Sequence, residues 1–332
     1  MRKRYRQVRM SRHDSWVGIG RTGVEVTRLG LGTAPLGGMF TTVDDDDALK
    51  LVKAACANGI GYFDTAPLYG YGVAEFRLGR GLGAVGPGPR TICTKVGRLL
   101  VAGAETVPDI FIDTSEEQPV FDFSAAGIRR SLEESLARLD LDHVDILLIH
   151  DPDDHAEQAL DEAYPELDRL RSEGIVKAIG VGIDHPELAT RFVRETDIDL
   201  VLIAGRYTLL DQTAGEDLLP EALRRGIDIV TAGVFNSGIL ANPRPGATYE
   251  YEPAPTHLIE RARAIGEVTT AFDVPLTAAA LQFPLRHRAV TAVLTGARTA
   301  RELLANIADF DRNIPEACWE ALERSGLVSI RL

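Results

Sequence analysis

The stretch VDILLIH (144–150) is followed by AEQALDEAYPELDRLRSEG (156–174) and then by IVKAIGVGI (175–183). The first and third runs are short and rich in branched apolar residues, which is typical of buried strands. The middle run has apolar residues at helical spacing and ends in a glycine suited to a helix C-terminus. Residues 144–183 therefore predict a strand–helix–strand unit with its two strands parallel.

The same alternation continues through most of the chain. A helix is predicted over 44–59 and another over 124–140, where Ser124 is a plausible N-cap. Eight strand–helix units without a break between 16 and 326 favour a closed parallel (β/α)8 TIM barrel of the α/β class over an open doubly wound sheet. The predicted strands lie near 30–34 and at 61–64, 91–95, 144–149, 176–181, 199–203, 228–232 and 291–295.

The segment before the barrel, WVGIGRTGVEVTRLGLG (16–32), alternates around glycines and predicts a short hairpin with Thr22-Gly23 near its turn. Residues 18–23 also match the dinucleotide-binding pattern GxGxxG. That motif requires a following helix, so that the pyrophosphate meets a helix N-terminus. Because VEVTRL (24–29) alternates as a strand does, we interpret these glycines as hairpin residues.

Composition limits the function. The 332 residues carry a net charge of −13, which disfavours general binding to nucleic acid or to an anionic membrane. The apolar runs are far shorter than the ~18 residues of a membrane span. Three widely spaced cysteines suggest a reducing cytoplasm and neither a disulfide framework nor a zinc site. The sequence specifies no oligomeric state.

The domain organisation predicted from these features is simple. Residues 1–15 form a basic, disordered tail, because six arginines and lysines fall within the first dozen residues and no apolar segment follows them. Residues 16–332 form one barrel domain. Two long loops, 96–123 and 233–256, follow strands and should lie at the C-terminal face, where barrel enzymes place their sites.

Three predicted strands end in or lead to polar side chains. Asp64, Lys95 and His150 each lie at or near the end of an apolar run, and Tyr69 follows Asp64 by five residues. A phenol must lose its proton near neutral pH to act as a base, and a neighbouring ammonium held by a carboxylate favours that loss. The four side chains together therefore predict an active site, with His150 able to hydrogen-bond a substrate oxygen.

The stretch Asp64-Thr-Ala-Pro-Leu-Tyr69-Gly-Tyr-Gly-Val-Ala-Glu75 resembles the signature of the aldo-keto reductases. The resemblance continues in order through residues 94–97, 136–150, 174–182, 296–298 and Asn306. It implies a (β/α)8 barrel that binds an extended NAD(P)(H). By position, Tyr69 would be the acid/base, Lys95 and Asp64 would tune it, and His150 would orient the substrate. Three stretches, 150–155, 205–211 and 235–238, resemble the aldose 1-dehydrogenase branch, which contains D-threo-aldose and L-fucose dehydrogenases and lies near pyridoxal 4-dehydrogenase.

The resemblance also implies cofactor contacts. Where many members have Ser-Asn after Gly-Val, this chain has Gly182-Ile183-Asp184, so Asp184 is expected to replace the usual contact with the nicotinamide carboxamide. Phe235 is a candidate to stack on the nicotinamide ring, or is a core residue. Arg298 precedes a predicted helix N-terminus, which favours phosphate, and Glu302 is placed to accept hydrogen bonds from a ribose diol, which favours NAD over NADP. The full expected set is Asp184, Phe235, Ser237, Gly238, Leu240, Gly296, Arg298, Glu302 and Asn306.

The predicted activity is an NAD(P)-dependent oxidoreductase acting on a small sugar or carbonyl compound, by oxidation of an aldose C1 to a lactone. Two alternatives remain: an NADPH-dependent aldehyde or ketone reductase, and a nicotinamide-binding regulatory subunit with little turnover. The HDPDDH cluster at 150–155 contains hard-metal ligands. Because adjacent loop residues seldom all point inward, no metal site is predicted.

Overall fold

Eight parallel strands close into a barrel in the computed structural model, which describes residues 12–105, 110–112 and 114–329. The strands are, in chain order, β1 (Trp16–Ile19), β2 (Val24–Thr27), β3 (Leu29–Gly32), β4 (Tyr62–Asp64), β5 (Thr91–Val96), β6 (Arg98–Ala102), β7 (Glu117–Phe121), β8 (Ile146–His150), β9 (Ala178–Ile183), β10 (Leu200–Ala204), β11 (Asp228–Ala232), β12 (Thr248–Tyr249), β13 (Glu252–Pro253) and β14 (Val290–Gly296).

The barrel consists of β3, β4, β5, β8, β9, β10, β11 and β14, each paired in parallel with the next. Pairing of β14 with β3, which sets Val293 opposite Leu29, closes the ring. The predicted (β/α)8 barrel is confirmed, with strand boundaries within a few residues of the expected ones.

Helices lie between most of the barrel strands. They are α1 (Asp45–Ala57), α2 (Val73–Val85), α3 (Ala125–Leu139), α4 (Ala156–Gln158), α5 (Tyr164–Ser172), α6 (Pro186–Glu195), α7 (Leu218–Arg225), α8 (Thr256–Thr270), α9 (Leu276–Gln282), α10 (Ala300–Phe310) and α11 (Glu316–Arg324). The predicted cap of α3 is present, since Ser124 Oγ accepts the Gly127 N–H at 3.1 Å. No helix among the described residues is both long and apolar enough to cross a bilayer.

The helix predicted over 156–174 is interrupted. Residues 159–163 form a turn of π-helix between α4 and α5. Pro165, in the first turn of α5, has no N–H to donate to a carbonyl of the preceding turn, and a wider turn accommodates the missing bond.

The hairpin of β1 and β2 closes the amino-terminal end of the barrel. Its residues Ile19, Val24 and Val26 are at most 3% exposed and form a second apolar core with residues at the starts of barrel strands, including Tyr62 and Ile146. The GxGxxG match therefore lies in a hairpin, as predicted.

Residues 12–15, predicted to belong to the basic tail, have a defined place in the fold. His13 is buried, and its ring contacts Asp311 Oδ2 and the Asn58 carbonyl, both at 2.7 Å. The remainder of the predicted tail, 1–11, lies outside the described residues.

The two long connections, predicted as loops, contain short strands. β6 and β7 pair antiparallel within the first connection. In the second connection, β12 and β13 form a two-residue ladder whose turn holds Glu250 and Tyr251 at positive φ. The alternation of polar and apolar residues in EQPVF (117–121) is too short and too polar to predict a strand from the sequence.

Candidate active site

Three neighbouring barrel strands bring the predicted polar residues to one face. Asp64 ends β4, Lys95 lies one residue before the end of β5, and His150 ends β8. Because β4, β5 and β8 are adjacent and parallel, their carboxyl ends lie side by side. Tyr69 lies in the turn between β4 and α2, so all four predicted residues are brought together.

The backbone after Tyr69 explains how that turn is held. Gly70 has φ of +62°, and a Cβ at this position would lie 2.5 Å from the Gly37 carbonyl oxygen. Only glycine allows this close approach without strain. The packing of Gly70 on Gly37 therefore fixes the chain next to the phenol.

The Lys95 ammonium has a full set of partners. Its Nζ donates to Asp64 Oδ2 at 2.8 Å, to the Thr65 carbonyl at 2.9 Å and to Tyr69 Oη at 3.1 Å. Lys95 and Asp64 side chains are 1% and 4% exposed. Three donors meeting three acceptors is the arrangement in which a buried ammonium stays charged. Burial alone lowers the pKa of Lys95, but the Asp64 charge is the largest of the effects that outweigh it and raise that pKa.

The phenol of Tyr69 is protonated at neutral pH. Burial raises its pKa, Lys95 lowers it in part, and the Asp64 charge raises it again. Lys95 thus acts in the direction expected from the sequence. The pKa of Tyr69 is nevertheless raised overall, because desolvation of the phenolate exceeds the effect of the ammonium once Asp64 neutralises it.

His150 is a neutral imidazole. Its ring meets Tyr69 edge-on with centroids 5.7 Å apart. Burial lowers the pKa of His150 well below its usual value, and the charges of Lys95 and Arg98 lower it further. Nδ1 is buried without a hydrogen-bond partner among the described residues. An unpaired lone pair costs less than an unpaired N–H, so we place the proton on Nε2.

A family model for the Aldo/keto reductase family matches residues 28–326. The chain belongs to the aldo/keto reductase family. It is 40% identical to pyridoxal 4-dehydrogenase of Microbacterium luteolum, over 94% of this chain and 97% of that one. It is also 40% identical to D-threo-aldose 1-dehydrogenase of a Pseudomonas species, over 92% and 96%. The holo form of an aldo-keto reductase from Bacillus halodurans shares the fold, with a TM-score of 0.76 at 22% identity over 96% and 97% of the two chains.

As an aldo/keto reductase, the protein is an oxidoreductase that uses NAD(P)(H). The residues at the end of β14 fit a dinucleotide. Thr299 caps α10 by accepting the Glu302 N–H at 3.2 Å, and the N-terminus of this helix of 11 residues favours an anion. Arg298 adds a half-exposed guanidinium at the same place.

Arg298 and Glu302 contact each other in this aldo/keto reductase. The Arg298 N–H donates to Glu302 Oε2 at 2.8 Å, and its guanidinium lies 3.5 Å from Oε1 and 3.3 Å from Thr41 Oγ1. Asn306 donates through Nδ2 to Thr295 Oγ1 and to the Gly296 carbonyl. The predicted residues 296–306 thus form one connected group at the carboxyl end of β14.

The segment after β11 is strained. Asn236, Ser237 and Gly238 all have positive φ, a conformation that costs free energy in non-glycine residues and is concentrated at functional sites. Phe235 packs partly buried against the main core. Leu240 is fully buried and belongs to the main apolar core. The cofactor roles of these residues stay predictions.

Asp184 has partners that the sequence did not reveal. Its carboxylate lies 3.0 Å from His185 Nδ1 and 3.6 Å from Arg206 Nη2. Arg206 also pairs with Asp211 and Glu250, which ties the β12–β13 hairpin to the barrel mouth. A contact between Asp184 and the carboxamide stays a prediction.

Sequence reasoning missed two groups beside the site. Arg98 Nη2 lies 3.2 Å from Asp151 Oδ2, and its guanidinium lies 4.5 Å over the Phe121 ring. Phe111 packs against Tyr69 with centroids 6.0 Å apart. Arg98 follows Gly97 and Asp151 follows His150 in the sequence, and this adjacency was the signal that could have pointed to them. Their pairing, however, depends on the β6–β7 hairpin.

Proposed function

We propose that this aldo/keto reductase oxidises the anomeric hydroxyl of an aldose, or of a similar hemiacetal, to a lactone. One observation carries the proposal: Tyr69 Oη lies 3.1 Å from the Lys95 ammonium, which Asp64 holds in turn at 2.8 Å. This arrangement gives a buried phenol a defined proton partner at the mouth of the barrel. Two relatives at 40% identity are named as dehydrogenases, of pyridoxal and of D-threo-aldose, which supports the oxidative direction.

The residues of the chain would handle the proton. A bound nicotinamide supplies or accepts the hydride. In oxidation, Tyr69 Oη would take the proton of the substrate hydroxyl while the substrate carbon gives up its hydride and the substrate C–O bond becomes C=O. In reduction, Tyr69 Oη would return that proton to the substrate oxygen. The His150 Nε2–H would donate to the same substrate oxygen and orient it. Lys95 would stabilise the phenolate form, and Asp64 would keep Lys95 charged.

Turnover with sugars tests this proposal. Incubation with NAD⁺ or NADP⁺ and a panel of aldoses should raise absorbance at 340 nm. Because burial raises the pKa of Tyr69, the base form is scarce at neutral pH, so oxidation should accelerate steadily from pH 7 to 9. Absence of turnover with every aldose throughout this range would contradict the proposal.

The second candidate is an aldehyde or ketone reductase. The raised pKa of Tyr69 favours it, because a phenol that stays protonated at neutral pH is ready to act as an acid. Reduction should then be nearly independent of pH from 6 to 8. Rapid reduction of simple aldehydes, together with no oxidation of aldoses, would favour this candidate over the first.

We also propose that NAD is preferred to NADP. Glu302 is 44% exposed next to the α10 N-terminus, where a carboxylate accepts from a ribose diol and repels a 2′-phosphate. Replacing Glu302 with alanine should lower the ratio of kcat/KM for NAD to that for NADP by about 10-fold or more, since like-charge repulsion is removed.

The matched control is Glu320→Ala, which removes the acidic partner of another arginine four residues away, on α11. It should leave the cofactor ratio unchanged. An unchanged ratio in the Glu302 variant as well would exclude Glu302 from cofactor selection.

The negative net charge and three free cysteines support a cytoplasmic protein with no nucleic-acid partner.

A further inference from the structure

Asp151 lies directly beside the four candidate catalytic residues. It follows His150 at the end of β8, with φ of +39°, and its N–H donates to the Gly182 carbonyl at 3.0 Å. A left-handed conformation is unfavourable for aspartate and persists where surrounding contacts enforce it. The Oδ2 atom lies 3.4 Å from His150 Nε2, and the carboxylate charge acts on the pKa of Tyr69.

One oxygen of this carboxylate is anchored and the other is not. Oδ2 receives both side-chain contacts, from Arg98 and from His150. Arg98 is itself held against the Phe121 ring, which stacks on Phe123 with centroids 5.9 Å apart. Within the part of the chain that the structure describes, Oδ1 has no hydrogen-bond donor, and the side chain keeps 32% of its exposure.

The neighbouring carboxylates Asp153 and Asp184 are paired with His185 rather than with His150. Asp153 Oδ1 and Asp184 Oδ1 lie 2.5 Å and 3.0 Å from His185 Nδ1. Burial raises the pKa of Asp151 to about 6, Arg98 and Lys95 lower it, and the charges of Asp184 and Asp153 raise it. Asp151 is therefore ionised at neutral pH. Of these three carboxylates it is the one that contacts His150, and its Oδ1 has no hydrogen-bond donor among the described residues.

We infer that Asp151 determines specificity by accepting a hydrogen bond from the substrate hydroxyl on the carbon next to the reacting carbon. Because Oδ2 of this carboxylate lies 3.4 Å from His150 Nε2, a substrate oxygen bound by Tyr69 Oη and His150 Nε2 would bring the hydroxyl of the adjacent carbon next to Asp151. The Phe121 side chain, which is 44% exposed, offers an apolar surface for substrate C–H groups. An ionised carboxylate accepts strongly from hydroxyls and disfavours anionic substrates such as sugar acids.

This inference rests on the proposed oxidoreductase site but not on the identity of the sugar. The test compares reduction of 2-hydroxypropanal and of propanal, which differ only in that hydroxyl, with the reduced cofactor at pH 7.5. The wild-type protein should prefer 2-hydroxypropanal in kcat/KM. Asp151→Ala should lower the ratio of kcat/KM for 2-hydroxypropanal to that for propanal by about 10- to 150-fold, the range for a hydrogen bond to a charged group. Any effect through His150 or Tyr69 acts on both aldehydes alike and cancels in this ratio.

Asp151→Asn keeps the shape of the side chain. It should give a smaller loss of kcat/KM for 2-hydroxypropanal relative to propanal. Asp154→Asn, an exposed aspartate three residues on, should change neither substrate. Equal losses for both aldehydes would mean that Asp151 only maintains the structure, and would overturn the inference, as would a wild-type protein without preference. Neither of these two results would contradict the proposed aldose oxidation. That proposal fails instead if no aldose is oxidised while propanal is reduced.

Discussion

Replacing Tyr69 with phenylalanine is expected to lower kcat by about 100- to 10,000-fold, in both directions of the reaction. The phenol is the group placed to exchange a proton with the substrate, and Lys95 Nζ, at 3.1 Å, is the partner that stabilises its phenolate. Nicotinamide binding should change little, because the ring remains. Steady-state rates at 340 nm and a fluorescence titration with reduced cofactor measure the two effects separately.

Tyr164→Phe is a suitable control for this variant. Tyr164 begins α5, and its hydroxyl accepts the Asp197 N–H at 2.9 Å, away from the residues at the barrel mouth. It should cost about 1 kcal/mol of stability and no activity. If Tyr69→Phe kept more than a tenth of wild-type kcat, another group would have to carry the proton.

Replacing Lys95 with methionine is expected to lower the free energy of unfolding by about 3–5 kcal/mol at pH 8, since it leaves the Asp64 carboxylate buried without its cation. Activity should fall as well. Loss of Lys95 raises the pKa of Asp64 further, and a raised folded-state pKa means that stability decreases as pH rises through it. The variant should therefore be less impaired at pH 5 than at pH 8 in urea unfolding.

The double variant Lys95→Met with Asp64→Asn separates the two consequences. It removes both charges and should recover most of the lost stability but none of the activity, because no cation remains beside Tyr69. Lys177→Met provides the comparison. Its 2.7 Å ion pair with Asp145 is 56% exposed on the lysine side, so about 1 kcal/mol or less is expected. Recovery of activity in the double variant would show that the ammonium is dispensable.

Much of the site was predictable because barrel topology converts sequence position into spatial position. Asp64, Lys95 and His150 end or nearly end three strands, and parallel strands in a closed barrel bring such ends to one face. A free energy that depends on several neighbours together could not be predicted from the sequence. The pKa of Tyr69 is raised rather than lowered, because desolvation and the Asp64 charge outweigh Lys95, and no spacing rule contains those magnitudes.

The amino-acid sequence by itself determined the eight alternating units, the hairpin before them and the set of proton-handling side chains, because periodicity and chain order are local properties. Only the tertiary structure decided which groups surround that set. Pairing of β6 with β7 places the Arg98 guanidinium on the Phe121 ring and within 3.2 Å of Asp151. Arg206 likewise contacts Glu250, which lies 44 residues away in the sequence. Such pairs depend on long-range packing of loops, which no local pattern specifies.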